Sequence, residues 1–378
     1  MKRWQYLDPI LMIIIALIAA IGVIAIGSAS LSVSEKINGS PFNFLTKHLI
    51  YWVLALAGAA LVFSIKIELW EKYAKVLFIL SLPFLLLVFV PGLGVEMNYS
   101  RRWIGFAGFT LQPSEFVKFA WVLYLAAYVA KEQANLKNGW ESFSRPLVLL
   151  GLVMVILLFE PDFGTAAVLM TMTMGVLFLA GAHLLQFIYL TVIAVLGLIA
   201  LAVIEPYRFA RITSFLNPWE SVNAEGYQLV QSLIAFGRGE WWGVGIGQSI
   251  QKHLYLPEAH TDFVYAIWSE ETGLLGNLLL IVLFSFLIFR LFRLAQQTEA
   301  VGWLFKSHVV FGITLLFALQ AVINMGMCMG ALPTKGLTLP FVSYGGSSLL
   351  VSAAMMAMVF RVQTDLHVYQ QQVGGAHA

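Results

Sequence analysis

Apolar runs of about 17 to 25 residues, the length of helix that crosses a bilayer, recur from one end of this chain to the other. No stretch between them is long and polar enough to fold as a separate soluble unit. Hydrophobic residues make up 60% of the 378 and charged residues 11%, too little polar surface for a soluble globule. The chain is therefore read as a single membrane domain over 1–378, an all-α polytopic integral membrane protein. About ten spans are expected, at 10–29, 47–65, 75–91, 112–130, 146–160, 164–181, 186–204, 263–289, 307–329 and 346–361. A long extracytoplasmic loop, 205–262, separates the seventh from the eighth.

An even number of spans returns both termini to one side. Lys2, Arg3, Lys66, Lys72, Lys75, Lys131, Lys137, Arg145, Arg290, Arg293, Lys306 and Arg361 then share a face, against Lys36, Lys47, Arg101, Arg102 and Lys335 in the short loops opposite. Positive residues concentrate on the cytoplasmic side of membrane proteins, so both termini are expected there. Gly27-Ser28-Ala29-Ser30 resembles a signal-peptidase site, but the apolar run from Pro9 to Ile26 exceeds a signal-peptide core, and an uncleaved first helix is expected. The single cysteine, Cys328, excludes an intramolecular disulfide. The net charge of +2 comes with no basic cluster that would bind nucleic acid.

Against this apolar background, ionisable groups gather in a few islands. Leu256-Pro257-Glu258-Ala259-His260-Thr261-Asp262-Phe263 sets Glu258, His260 and Asp262 at the mouth of an apolar helix. Arg101-Arg102-Trp103-Ile104 is followed by Gln112-Pro113-Ser114-Glu115-Phe116-Val117-Lys118, with Pro113 suited to a first helical turn. Glu115 and Lys118 then fall three apart on one helical face and can pair, either as a structural ion pair or beside a substrate path. Glu160-Pro161-Asp162-Phe163-Gly164-Thr165 makes a tight reversal, with Asp162 suited equally to capping the next helix or to function. Pro333 to Ser348 holds too many helix breakers for a simple turn and is expected to dip, irregular, toward a protein-lined cavity.

The loop 205–262 is longer than a helix connection requires, and long ordered loops are usually functional. A short amphipathic helix is expected over Tyr227–Phe236; Gly237, Gly239, Gly243, Gly245 and Gly247 with Trp241 and Trp242 suit a flexible segment at the bilayer interface. Gly243-Val244-Gly245-Ile246-Gly247 lacks the strand and helix of a phosphate-cradling loop. Cys328 stands alone and His253 and His260 lack a helical ligand spacing, so no zinc site is expected.

These islands share the outer face. Convergence would place Asp262, Glu258, His260, Glu115 and Asp162 in one cleft with the cations Arg101, Arg102, Lys118, Arg208, Arg211 and Lys335. An anionic, lipid-linked substrate fits that mixture. In family order, the islands Arg102-Trp103-Ile104 with Gln112-Pro113-Ser114-Glu115 and Lys118, Pro161-Asp162-Phe163-Gly164-Thr165, Leu256 to Phe263, and Ser343-Tyr344-Gly345-Gly346-Ser347-Ser348 resemble the SEDS proteins of bacterial envelope synthesis, which include FtsW, RodA and SpoVE. Pro333-Thr334-Lys335-Gly336-Leu337-Thr338-Leu339-Pro340 is nearest the FtsW branch.

That resemblance implies a ten-helix fold and a peptidoglycan glycosyltransferase that polymerises lipid II outside the cytoplasmic membrane, with an essential aspartate at Asp262. Arg102, Trp103, Glu115, Lys118, Asp162, Arg208, Arg211, Glu258, His260, Lys335 and Ser343 are then expected to bind substrate. The implied partners are lipid II and undecaprenyl-linked glycan, a class B penicillin-binding protein of the FtsI kind, and the division regulators FtsQ, FtsL, FtsB and FtsN at the septum. Mg2+ or Mn2+ is the implied cofactor, with ligands unassigned. An inverting transfer needs one base for the acceptor hydroxyl, and Asp262 is the expected base. The alternatives are a RodA-type elongation polymerase, a lipid II flippase using the same intramembrane charges, and a noncatalytic scaffold for the cross-linking enzyme.

Overall fold

The computed structural model describes residues 3–97, 100–106, 109–136, 139–204, 215–222, 226–334 and 336–375. Twelve α-helices run through the described residues: α1 (Pro9–Ala29), α2 (Leu31–Asn38), α3 (Asn43–Ser64), α4 (Ile67–Leu86), α5 (Pro113–Leu136), α6 (Trp140–Phe159), α7 (Phe163–Leu179), α8 (Leu184–Ile204), α9 (Tyr227–Gly239), α10 (Val264–Ala300), α11 (Leu304–Cys328) and α12 (Gly346–Gly375). Asp8 starts α1 by accepting the amides of Ile10 and Leu11, at 2.9 and 3.3 Å, with Pro9 in the first turn where its missing N–H costs nothing.

Among the described residues, α1, α3, α4, α6, α10, α11 and α12 are long and apolar enough to cross a bilayer, and α7 is apolar but only 17 residues long. The chain is an all-α polytopic membrane protein with one small addition. Between α4 and α5 lie three short strands, β1 (Gly94–Met97), β2 (Ser100–Phe106) and β3 (Phe109–Leu111), antiparallel in the order β1-β2-β3. Sequence reading passed over them because Gly94 and Gly105 interrupt a stretch too short for a clear two-residue alternation.

The bundle is built around α11 and α12, the most buried of the long helices, whereas α3 and α4 turn most of their surface outward. Val53, Leu56 and Leu80 are exposed there, as suits contact with acyl chains, which are as apolar as leucine itself. α11 packs on α5, α7 and α10, and α12 on α3. Helix association without a hydrophobic drive relies on close packing and interhelical hydrogen bonds. The indole of Trp121 on α5 supplies one, donating to Thr173 Oγ1 on α7 at 2.8 Å. Gly22 supplies close packing: a Cβ there would lie 2.4 Å from the carbonyl oxygen of Phe341.

The segment between α11 and α12 is irregular, as expected, and is buried through Leu337, Leu339, Phe341 and Val342. Several of its polar groups pair within the protein. Ser343 Oγ accepts the Leu339 amide at 2.8 Å, the hydroxyls of Thr338 and Ser348 meet at 2.8 Å, and the Tyr344 amide reaches the His260 carbonyl at 3.0 Å.

Several boundaries depart from expectation: α2 was not expected, α4 starts at Ile67 rather than 75, α5 runs to Leu136 rather than 130, α6 starts at Trp140 rather than 146, and α12 runs to Gly375 rather than 361. The short amphipathic helix in the long loop extends to Gly239. The helix after Asp262 runs to Ala300 but is broken at Gly273, whose φ of 67° and ψ of −161° are not helical. The glycine-rich stretch after α9, read from sequence as flexible, is instead docked against that break. The amides of Val244 and Gly245 donate to the carbonyls of Glu270 and Glu271, each at 3.0 Å. Glycine recurs there because two backbones meet: a Cβ on Gly243 would sit 2.2 Å from the Glu271 carbonyl oxygen.

Candidate active site

Asp262 sits two residues before α10, half-buried, with its backbone carbonyl fixed by α11: Asn324 Nδ2 donates to it at 2.9 Å and Cys328 Sγ at 3.7 Å. The same Asn324 amide donates to the Leu337 carbonyl at 2.6 Å, so one side chain ties the aspartate to the irregular segment. A polar residue in an apolar helix was the sequence signal for Asn324, though its partners were not legible. Replacing it with alanine leaves two carbonyls without that donor, and an unsatisfied buried group costs about 1–3 kcal/mol. Asn324→Ala is therefore expected to lower the thermal midpoint of the purified protein and to loosen the 336–339 segment toward proteolysis.

Arg102 is carried on β2 and anchored by the α6–α7 turn. Its Nε donates to the Glu160 carbonyl at 3.1 Å and its Nη2 to the Pro161 carbonyl at 2.5 Å, while Ser100 Oγ holds the Glu160 carbonyl at 2.8 Å. The strand register pairs Trp103 with Val95, and Trp103 is half-buried. Gly336 lies between the charges: a Cβ there would be 3.1 Å from Asp262 Oδ2 and 3.9 Å from Arg102 Nη1. A side chain at 336 would therefore intrude on the gap between acid and guanidinium.

Burial pushes the Asp262 carboxyl from its usual 3.8 up to about 7; Glu258 adds to this, Arg102 opposes it, and Asp162 adds a little more. A carboxylate that titrates near neutrality can accept a proton and release it again. Glu160, which sequence reading left out of the site, is fully buried with neither carboxylate oxygen hydrogen-bonded. Burial first, then Asp162, raises it to about 8 against the pull of Arg102.

Asp162 caps α7, accepting the Thr165 amide at 3.2 Å, and it also accepts from Ser114 Oγ at 3.3 Å and from the Gln112 amide at 3.5 Å. Those contacts join α7 to the start of α5, and the Gln112 backbone amide donates to Ser347 on α12 at 2.8 Å. Glu258 adopts a positive φ of 54° and accepts the Thr261 hydroxyl at 2.5 Å. The His260 ring packs against Phe44 and Tyr344, with centroids 4.8 and 5.7 Å apart, and burial lowers its pKa. Ser343 is buried and turned to the Leu339 amide. Lys118 donates to Glu115 Oε1 at 2.7 Å, both side chains being shut away from solvent.

The described residues thus bring Asp262, Glu258, Arg102 and Asp162 within electrostatic reach of one another, with His260 alongside. Glu115 and Lys118 form a separate internal pair on α5. Arg208, Arg211 and Lys335 lie outside the described residues. Among the described residues no three carboxylate, imidazole or thiol groups come together as a metal centre.

The starts of α5, α7, α10 and α12 and the end of α11 meet at this site, so it occupies one end of the bundle. The family of cell cycle proteins comprising FtsW, RodA and SpoVE matches residues 9–368. The chain belongs to that family. A probable peptidoglycan glycosyltransferase FtsW of Alcanivorax borkumensis is 50% identical over 352 residues, covering 92% of this chain and 91% of its own. That of Coxiella burnetii is 44% identical over 95% of this chain and 96% of its own. A chain from a peptidoglycan synthase complex, solved for its structural coordination of polymerization and crosslinking, superposes with a TM-score of 0.75 at 30% identity, covering 96% of this chain and 98% of that one. The rod shape determining protein RodA of Thermus thermophilus superposes with a TM-score of 0.68 at 27% identity over 96% and 98% of the two chains.

Proposed function

We infer that this chain is a peptidoglycan glycosyltransferase that polymerises lipid II. The observation that carries the reading is the pairing of a carboxyl poised near neutral pH with an anchored guanidinium across Gly336, in a chain of the FtsW/RodA/SpoVE family.

The proposed mechanism is a direct displacement. An α-linked lipid pyrophosphate donor that becomes a β-1,4 glycan is inverted once, which requires no covalent enzyme intermediate. Asp262 takes the proton of the acceptor N-acetylglucosamine 4-hydroxyl as its oxygen attacks the donor anomeric carbon. The bond from that carbon to the pyrophosphate breaks, and the lipid pyrophosphate leaves with the electron pair. Arg102 is placed to stabilise the charge that develops on it. Trp103, Asp162, Glu258, His260 and Ser343 are the proposed walls of the substrate cleft, and Glu115 with Lys118 its support; Arg208, Arg211 and Lys335 are retained as candidate cations. Mg2+ or Mn2+ carried on the pyrophosphate would need only one or two protein carboxylates and would neutralise charge there; Asp262 and Glu258, which lie within electrostatic reach of each other, are the carboxylates that would hold it.

The fuller topology is proposed as ten spans, with both termini cytoplasmic and the site facing outward at the division septum. The working partner is proposed as an FtsI-like class B penicillin-binding protein, with FtsQ, FtsL, FtsB and FtsN regulating the pair. The complex of this chain with its cross-linking partner, given labelled lipid II and a divalent ion in detergent, is expected to make glycan chains. No polymer from an intact complex, with lipid II crossing vesicle membranes instead, would favour a flippase.

A further inference from the structure

A second group of buried charges lies away from the Asp262 cluster and takes no part in the displacement. Glu270 and Glu271 are consecutive, buried carboxylates in the first segment of α10, one residue short of the break at Gly273. A broken helix leaves free N–H and C=O groups on both sides of the break, which an apolar environment does not forgive. The loop supplies their partners from both directions. Val244 and Gly245 amides cap the carbonyls of Glu270 and Glu271, while the amides of Leu274 and Leu275 donate to the carbonyls of Glu240 and Trp241 at 2.9 and 3.3 Å.

The two carboxylates also tie down the loop around Ser249 and Lys252. Glu270 accepts from Arg238 Nη1 at 2.7 Å, from the Ile250 and Gln251 amides at 3.0 and 3.3 Å, and from the Ser249 hydroxyl. Glu271 accepts from Ser28 Oγ on α1 at 2.5 Å, the Ser249 amide at 3.3 Å and Lys252 Nζ at 3.2 Å. Lys252 is almost fully buried and also donates to Ser28 Oγ at 2.9 Å and to the Gly247 carbonyl at 2.5 Å. Three parts of the chain distant in sequence, α1, the loop and the first segment of α10, are thus joined at one point.

We propose that Lys252 and Ser28 are positioning residues for the transfer reaction: through Glu271 they lock the loop and the first segment of α10 into one rigid body that sets where Asp262 stands. This rests on the glycosyltransferase reading above. The geometry makes the connection direct. Residues 264–272 form a helical rod of about 14 Å at 1.5 Å per residue, with the lock at one end and Asp262 at the other. From Lys252 the chain reaches Asp262 in ten residues, pinned on the way by the Leu256 amide on the Gln251 carbonyl at 3.0 Å and the Phe263 amide on the Glu258 carbonyl at 3.1 Å. A tilt at the lock therefore displaces the base, and a misplacement of about 1 Å can cost on the order of a hundredfold in rate.

The test uses the full chain in complex with its cross-linking partner, with polymerisation of lipid II and hydrogen exchange measured together. Lys252→Met is expected to lower kcat by on the order of tenfold to a hundredfold at unchanged KM, and to speed amide exchange over 243–252. Should Lys252→Met not fold, Ser28→Ala removes only the bridging hydroxyl and is expected to shift both readouts the same way by less. A kcat per folded complex equal to wild type in the variant that folds, even with a lowered thermal midpoint, would reduce the network to a structural one and overturn the proposal. Wild-type complex that makes no polymer would instead fail the glycosyltransferase reading, so the two failures are distinguishable.

Discussion

Asp262→Asn is expected to lower polymerisation by about 10²–10⁴-fold, the usual worth of a positioned general base, while the protein still folds and binds its partner. Asparagine keeps the shape, and the Asp262 backbone carbonyl stays bound to Asn324, so the loss falls on the chemistry. Stability should move the other way. The carboxyl titrates at about 3.8 when unfolded and about 7 when folded, so between those values the native state holds the extra proton. Stability falls with rising pH wherever the native state binds more protons, so the native advantage of a protonated Asp262 is complete below 3.8 and lost as pH rises through about 7. The variant, which has no proton to lose, is expected to melt higher than wild type at pH 7 and above, a common relation between active-site groups and stability. Wild-type polymerisation should fall as pH drops below about 7, where the base is protonated. A fully active Asp262→Asn enzyme, or a rate flat from pH 8 to 5.5, would remove Asp262 from the role of base.

The second large effect is expected on α5. Lys118 and Glu115 are 2% and 8% exposed and 2.7 Å apart, so removing one partner strands the other. Breaking a buried pair from one side costs about 3–5 kcal/mol, whereas replacing both with neutral groups is often mild. Lys118→Met is expected to reduce the yield of folded protein and lower its thermal midpoint sharply, and Glu115→Gln added to it should recover most of the loss. Turnover separates the two roles that the sequence left open for this pair. If the double variant recovers both folding and polymerisation, the pair is support; if it folds and fails to polymerise, Lys118 meets the substrate.

The site was partly legible because its residues are chemically out of place. In a chain with 11% charged residues, a carboxylate at a helix mouth is visible from composition and spacing, and so Asp262, Arg102, Asp162 and Glu258 stood out. Glu160 did not, because its distinction is a surrounding that leaves both oxygens without a hydrogen-bond partner, a property of packing. The glycine-rich loop was misjudged for a related reason. Locally Gly243-Val244-Gly245-Ile246-Gly247 resembles a flexible segment, but its glycines permit the backbone approach that docks it on Gly273.

Hydrophobic runs and their length determined that this chain lives in a membrane as a helical bundle, because burial of apolar side chains in lipid depends on local composition alone. The turn chemistry of Pro113, Pro161 and Asp162 likewise marked helix starts from neighbours a few residues away. Only the tertiary structure decided that β2 carries Arg102 to the carbonyl of Glu160, that Asn324 holds Asp262, and that Lys252 meets Glu271 and Ser28. Those pairs lie between 19 and 224 residues apart in sequence, and their partners are chosen by how helices pack, which no local pattern encodes.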